Sequence, residues 1–164
     1  MMKTAVSAID VVSAVLAGYA ERRVFQGLSR GPVAAGKASF QIAWHRGRVF
    51  NLAFDSRAKT LRLPDLLTEI PADSSIPEDL KAFIRERQSD ELPEHRRLDA
   101  RKIQIRTYHR GGSILLVLKI KDGDCDYAVR KLVHLVNEVY LTFLIDGKYF
   151  DYLVETFNLD PDRM

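Results

Sequence analysis

The chain has 164 residues, 46% hydrophobic and 29% charged, with a net charge of +3. That size and mixture fit one α+β-sized domain, residues 1–164, able to bury its own core, and they exclude a disordered or fibrous protein. The one cysteine, Cys125, excludes an internal disulfide, and Asp124 and Asp126 beside it disfavour its thiolate, so it reads as a structural thiol.

Charge comes in alternating blocks. Residues 1–66 carry ten basic against four acidic side chains, 67–99 five against nine, 100–122 six against one, and 123–164 four against eight. The basic blocks contain the segments that read as β-hairpins and the acidic blocks read as helices. A basic sheet beside acidic helices is the expectation.

At the N-terminus, Ala5, Ile9, Val12, Leu16 and Tyr19 recur at helical spacing, which predicts a helix over 4–23. Gly18-Tyr19-Ala20 imitates a signal-peptidase site, and a signal peptide over residues 1–20 would make the protein secreted. Asp10 inside the apolar stretch favours the packing helix instead, and with it a cytoplasmic, soluble protein. No uncharged apolar run reaches the length of about 18 residues that spans a membrane, so no membrane partner is expected.

A connector with Gly27, Gly31, Pro32 and Gly36 follows. Phe40, Ile42 and Trp44 then alternate with polar or small residues, as do Phe50, Leu52 and Phe54, the pattern of a half-buried hairpin. For both triplets to share a face the loop must be odd, which selects His45-Arg46-Gly47 with Gly47 left-handed. Leu61 and Leu63 suggest a short third strand, and Pro64 marks it as an edge. Ser75-Ile76-Pro77-Glu78 reads as a capping box opening a helix to about residue 89, and a charged connector covers 90–99.

Ile103, Ile105 and Thr107 with Ile114, Leu116, Leu118 and Ile120 form the second hairpin. Here the loop must be even, either Arg110-Gly111 or His109 to Gly112. Asp124 or Asp126 caps a long helix over about 126–145 whose apolar residues nearly encircle it. Such a helix is buried on most sides or packs against a second copy, so a homodimer through the C-terminal helices is expected. Residues 149–157 read as a short aromatic-rich helix.

The order is α-β-β-β-α-β-β-α-α: an α+β fold with an antiparallel sheet of about five strands (two hairpins plus a short edge strand) packed with helices. This order resembles that of bacterial type III secretion chaperones and similar small α+β modules. The resemblance covers most of the chain, rests on element order, and implies the fold class but no site.

Each catalytic pattern in the chain lacks a part its chemistry needs. Gly27-Leu28-Ser29-Arg30-Gly31 matches a nucleophile elbow, but Pro32 and Gly36 stand where a helix must follow. Gly31 to Ala38 nearly matches a phosphate-binding loop, yet Ala38 has no hydroxyl for magnesium. Asp122, Asp124 and Asp126 have the spacing of the first calcium ligands of an EF-hand, but Tyr127 and Val133 occupy the required glycine and glutamate positions. His45, His95, His109 and His134 include no close pair to seed a metal site. No catalytic, cofactor-binding or metal-binding residue is nominated, and a small enzyme with an unrecognised site stays as an alternative.

What remains is cationic. Trp44-His45-Arg46-Gly47 and Tyr108-His109-Arg110-Gly111 both place aromatic-His-Arg-Gly at hairpin tips. Lys102, Gln104, Arg106 and Tyr108 share the second hairpin's polar face, and the pairing rule adds Lys119, Lys121, Leu115 and Val117 to it. The candidate anion- or partner-binding set is therefore His45, Arg46, Arg48, Lys102, Arg106, Tyr108, His109 and Arg110. The favoured reading of the basic face itself is internal: the acidic helices of the same chain cover it. If it is free, the protein is a non-enzymatic interaction protein for an acidic protein partner. A nucleic-acid-binding module is the alternative, weakened because Tyr108 is the one aromatic left for stacking once Trp44 faces the core.

Overall fold

The computed structural model describes residues 7–45, 48–89, 91–93 and 97–144. The expected helix at 149–157 lies outside these residues, as do Arg46, Gly47 and His95, while the first helix starts at Ala8, capped by Ser7, rather than at residue 4. In chain order the elements are α1 (Ala8–Glu21), β1 (Gly27–Arg30), β2 (Lys37–Trp44), β3 (Arg48–Asp55), β4 (Thr60–Leu67), α2 (Ile76–Glu86), β5 (Ile103–Arg110), β6 (Ser113–Ile120) and α3 (Cys125–Glu138). A π-helical turn, Val139–Leu144, continues α3. The class is α+β with an antiparallel sheet, as the alternation patterns require.

The sheet has six strands in the order β1-β2-β3-β4-β6-β5. One face is apolar throughout: Phe40, Ile42 and Trp44, then Phe50, Leu52 and Phe54, then Leu61 and Leu63, then Leu116, Leu118 and Ile120 are all buried. The helices pack on that face, and their buried residues (Val12, Val15 and Leu16 of α1; Leu80 and Ile84 of α2; Val129, Leu132 and Val136 of α3) join the same core. An amphipathic helix gains most by laying its apolar stripe on the apolar side of a sheet, at about 25 cal/mol per Å² removed from water. These helices therefore leave the polar face alone. Among the described residues no helix covers the basic face, so α2 and α3 do not provide the expected internal neutralisation; the expected helix at 149–157 lies outside those residues.

Several local expectations are corrected. The sixth strand is β1, inside the stretch that reads as a loop; Leu28 pairs with Ile42 and Arg30 with Phe40. The glycine there has a packing reason, since a Cβ at Gly31 would sit 2.5 Å from Ser39 Oγ. β4 is an interior strand between β3 and β6 rather than an edge. It tolerates Pro64 because the ladder with β6 breaks register between Leu63 and Leu67, where a missing N–H interrupts no pair.

The first hairpin closes at Trp44 opposite Arg48, leaving the loop 45–47 that parity demands. His45 itself is left-handed, with φ +51°. The second hairpin keeps the even parity but closes one residue further out, at Arg110 opposite Ser113. Its loop is Gly111-Gly112, with φ of +56° and +82°, because a two-residue turn of this hand needs positive φ at both positions. The capping box of α2 does not form: Ser75 makes no side-chain capping bond, and Ser74 Oγ accepts from Ile76 N at 3.1 Å instead. α3 starts where expected, capped by Asp124, whose carboxylate accepts from Tyr127 N at 3.0 Å.

Candidate functional site

The strand order brings both hairpin tips to one end of the sheet, but not together. β4 lies between the two hairpins, so the tips are about three strand spacings, roughly 14 Å, apart. The eight nominated residues are dispersed accordingly. His45 is stacked between Trp44 (centroids 4.5 Å apart) and Tyr140 (4.6 Å), and burial lowers its pKa from 6.5 to about 4. It is neutral at ordinary pH and supplies no cation.

Arg48 lies over the Phe50 ring and donates to Asp65 O at 2.8 Å, tying β3 to the end of β4. His109 faces the core side, its Nε2 3.0 Å from Ile70 O. Lys102 is held by Asp122 at 3.2 Å and Asp124 at 2.9 Å, and these hydrogen-bonded carboxylates raise its pKa. The same contact, after the Tyr127 amide, lowers the pKa of Asp124. Arg46 lies outside the described residues. That leaves Arg106, Tyr108 and Arg110 on the uncovered face, with the Arg110 guanidinium 5.4 Å from the Tyr108 ring centroid.

Pairing adds Arg62 to this face and keeps Lys119 where the sequence puts it. Arg62 of β4 is opposite Val117 of β6, which is opposite Arg106 of β5, so the two arginines flank a valine in one row across three strands. Two strand spacings put their Cα atoms roughly 10 Å apart. In the next row Lys119 stands between Thr60 and Gln104. Arg62, Arg106 and Lys119 are all exposed, and none meets a carboxylate among the described residues. Lys119 Nζ donates to Ala58 O at 2.7 Å. The outward positions of β4, β6 and β5 hold no acidic residue in these rows, so the three charges add. Alternation in Leu61-Arg62-Leu63 already puts Arg62 opposite the core leucines. The missing signal was that β4 neighbours β6.

One histidine–carboxylate pair has an enzyme-like look. His134 Nε2 is 2.9 Å from Glu138 Oε1, and Glu138 Oε2 is 2.6 Å from Arg87 Nη1. The Arg87 and Glu138 side chains are only 13% and 12% exposed. A catalytic dyad needs a cleft with a nucleophile or an oxyanion donor within reach. Here the carboxylate is spent on an arginine that links the end of α2 to α3, with Arg87 also lying over the Phe83 ring at 4.6 Å. Its geometry is that of a clamp. The three aspartates of the calcium-like run are likewise engaged: Asp122 and Asp124 by Lys102, and Asp126 by Arg130 at 2.7 Å.

No known family model, curated protein or solved structure matches this chain. No helix among the described residues is long and apolar enough to cross a membrane.

Proposed function

We propose that the protein is a non-enzymatic interaction module that engages an acidic segment of a protein partner through the basic face of β4, β6 and β5. The observation that carries this reading is the cluster of exposed cations Arg62, Arg106 and Lys119 in two adjacent rows, none of which meets a carboxylate among the described residues, extended by Arg110 toward the tip. Like charges at this spacing repel one another, and a polyanion relieves that repulsion. Val117, half-buried between Arg62 and Arg106, and Leu115, half-buried opposite Tyr108, give the face an apolar component that suits a polypeptide better than a phosphate backbone.

The test is fluorescence anisotropy of labelled oligoglutamate against the protein and its Arg62→Glu/Arg106→Glu variant. The reading expects salt-sensitive binding that the variant abolishes. Absence of binding at low salt, or binding indifferent to the charge reversal, overturns it. Tighter binding of oligodeoxythymidine, weakened by Tyr108→Ala, would put the nucleic-acid reading in its place.

The cytoplasmic compartment belongs to the same proposal, supported by the lone thiol Cys125, whose pKa burial and Asp124 raise. Self-association through the C-terminal helices is a separate proposal. α3 buries Val129, Leu132 and Val136 inside its own chain, and among the described residues of the C-terminal helices Leu141, 53% exposed, is the large apolar residue left for a second copy.

A further inference from the structure

β5 and β1 are the two edges of the sheet, and they are unlike. β1 is four residues long, whereas β5 has eight and contains no proline. Long unblocked edges are templates for another strand. Lys121 N donates to Lys102 O at 2.8 Å, which sets the phase of the β5–β6 ladder. In an antiparallel pair the bonded residues alternate, so Gln104, Arg106, Tyr108 and Arg110 turn their backbone groups to β6. The N–H and C=O of Ile105, Thr107 and His109 therefore point away from the sheet. Ile103, in the same phase, gives its N–H to Asp99 O at 3.1 Å; the other three residues have no backbone partner among the described residues.

Those groups open on a cleft of about 390 Å³ between β5 and α2, lined by Ile84, Ile105 and Thr107 and rimmed by Lys81, Arg85 and Arg106. A second cleft of about 240 Å³ continues it toward the tip and shares Lys81, Thr107 and Tyr108. Thr107 is only 8% exposed, and its Oγ1 is buried with no hydrogen-bond partner among the described residues. Unpaired backbone groups beside a cleft of this size are costly, and a bound strand supplies the backbone partners that Ile105, Thr107 and His109 lack.

Resting on the acidic-partner reading above, we propose that the partner's segment binds as an added antiparallel strand on the free edge of β5, between β5 and α2. An added strand would alternate as β5 does. Its residues on the helix side would meet Ile84 and Ile105, and those on the outer side would meet Arg106 and Arg110. The fitting sequence is thus apolar residues alternating with Asp or Glu. A second copy of this chain fits poorly, because antiparallel pairing of two β5 edges puts Arg106 and Arg110 of both copies on one strip.

The test uses an alternating Val-Glu peptide matched to the eight residues of β5, with a Val-Lys peptide as control. Amide exchange read by NMR should slow at Ile105, Thr107 and His109 when the Val-Glu peptide is added. The amides of Gln104, Arg106 and Tyr108, already bonded to β6, should change little. N-methylating the valines, whose N–H groups face β5 in this arrangement, should abolish binding, while N-methylating the glutamates should spare it. Binding lost on Arg106→Glu, yet equally tolerant of both N-methyl sets and without protection of the three amides, overturns strand addition and leaves the acidic-partner reading standing. Equal binding of the Val-Lys peptide overturns both. Protection of the three amides that grows with protein concentration in the absence of peptide overturns the proposal in favour of a second copy.

Discussion

Acid should destabilise this fold through His45, and the amount follows from its surroundings. The ring is sandwiched by Trp44 and Tyr140 and edged by Phe50 at 6.2 Å, with a buried Nε2 that has no hydrogen-bond partner among the described residues. Burial disfavours the imidazolium and lowers the pKa from 6.5 to about 4. Between those two values the unfolded chain binds a proton that the folded chain refuses, so stability falls as pH falls through that window and levels off below it. Each unit is worth about 1.4 kcal/mol, so the whole window corresponds to roughly 3 kcal/mol, discounted toward about 2 by the ring's partial exposure. His45→Asn removes the titration while keeping a residue that tolerates the left-handed φ of +51°. Losing the stacked ring lowers its stability near neutrality. Urea unfolding across the window should then show the gap between parent and variant closing by about 2 kcal/mol as pH drops. Parallel stability curves for the two proteins would refute the argument.

Glu138→Gln should cost about 3 kcal/mol in urea unfolding, because it leaves the nearly buried Arg87 with only the exposed Glu86 carboxylate, 3.9 Å away, in place of the 2.6 Å pair. Glu78→Gln, which breaks only the exposed 3.8 Å pair with Lys81, should cost less than about 0.5 kcal/mol, and equal losses would contradict the contrast. Leu116→Ala, at a fully buried position on the interior strand β6, should cost about 2–5 kcal/mol. Light scattering at micromolar concentration should report a dimer that Leu141→Glu dissociates; a single-chain mass for the parent removes self-association.

The fold class and both hairpins were legible because a half-buried strand writes its face into the sequence as strict alternation. Phe40-Ile42-Trp44 and Ile114-Leu116-Leu118-Ile120 even set loop parity. Non-local pairing is not written that way. Leu61-Arg62-Leu63 declares a strand and its faces but not its neighbours, so Pro64 suggested an edge where the structure resolves it with a register break. β1 was hidden because Gly27-Leu28-Ser29-Arg30 has too few apolar residues to show a period.

The candidate site suffered from the same limit. Alternation puts Arg106 and Tyr108 on the outward face and leaves Arg110 in the turn, whereas His45 and Lys102 look free because the Tyr140 ring and the Asp122–Asp124 pair that engage them come from distant segments. Which face the helices choose was the remaining ambiguity. Apolar burial outweighed charge neutralisation because surface ion pairs contribute little against a buried helix stripe.

The most direct test of the central claim is the affinity of the alternating Val-Glu peptide for the parent protein and for Arg62→Glu/Arg106→Glu, titrated side by side at low and high salt. Binding that falls with salt in the parent and disappears in the variant, with urea stability unchanged, is the predicted result. An affinity that survives the double charge reversal would contradict the account.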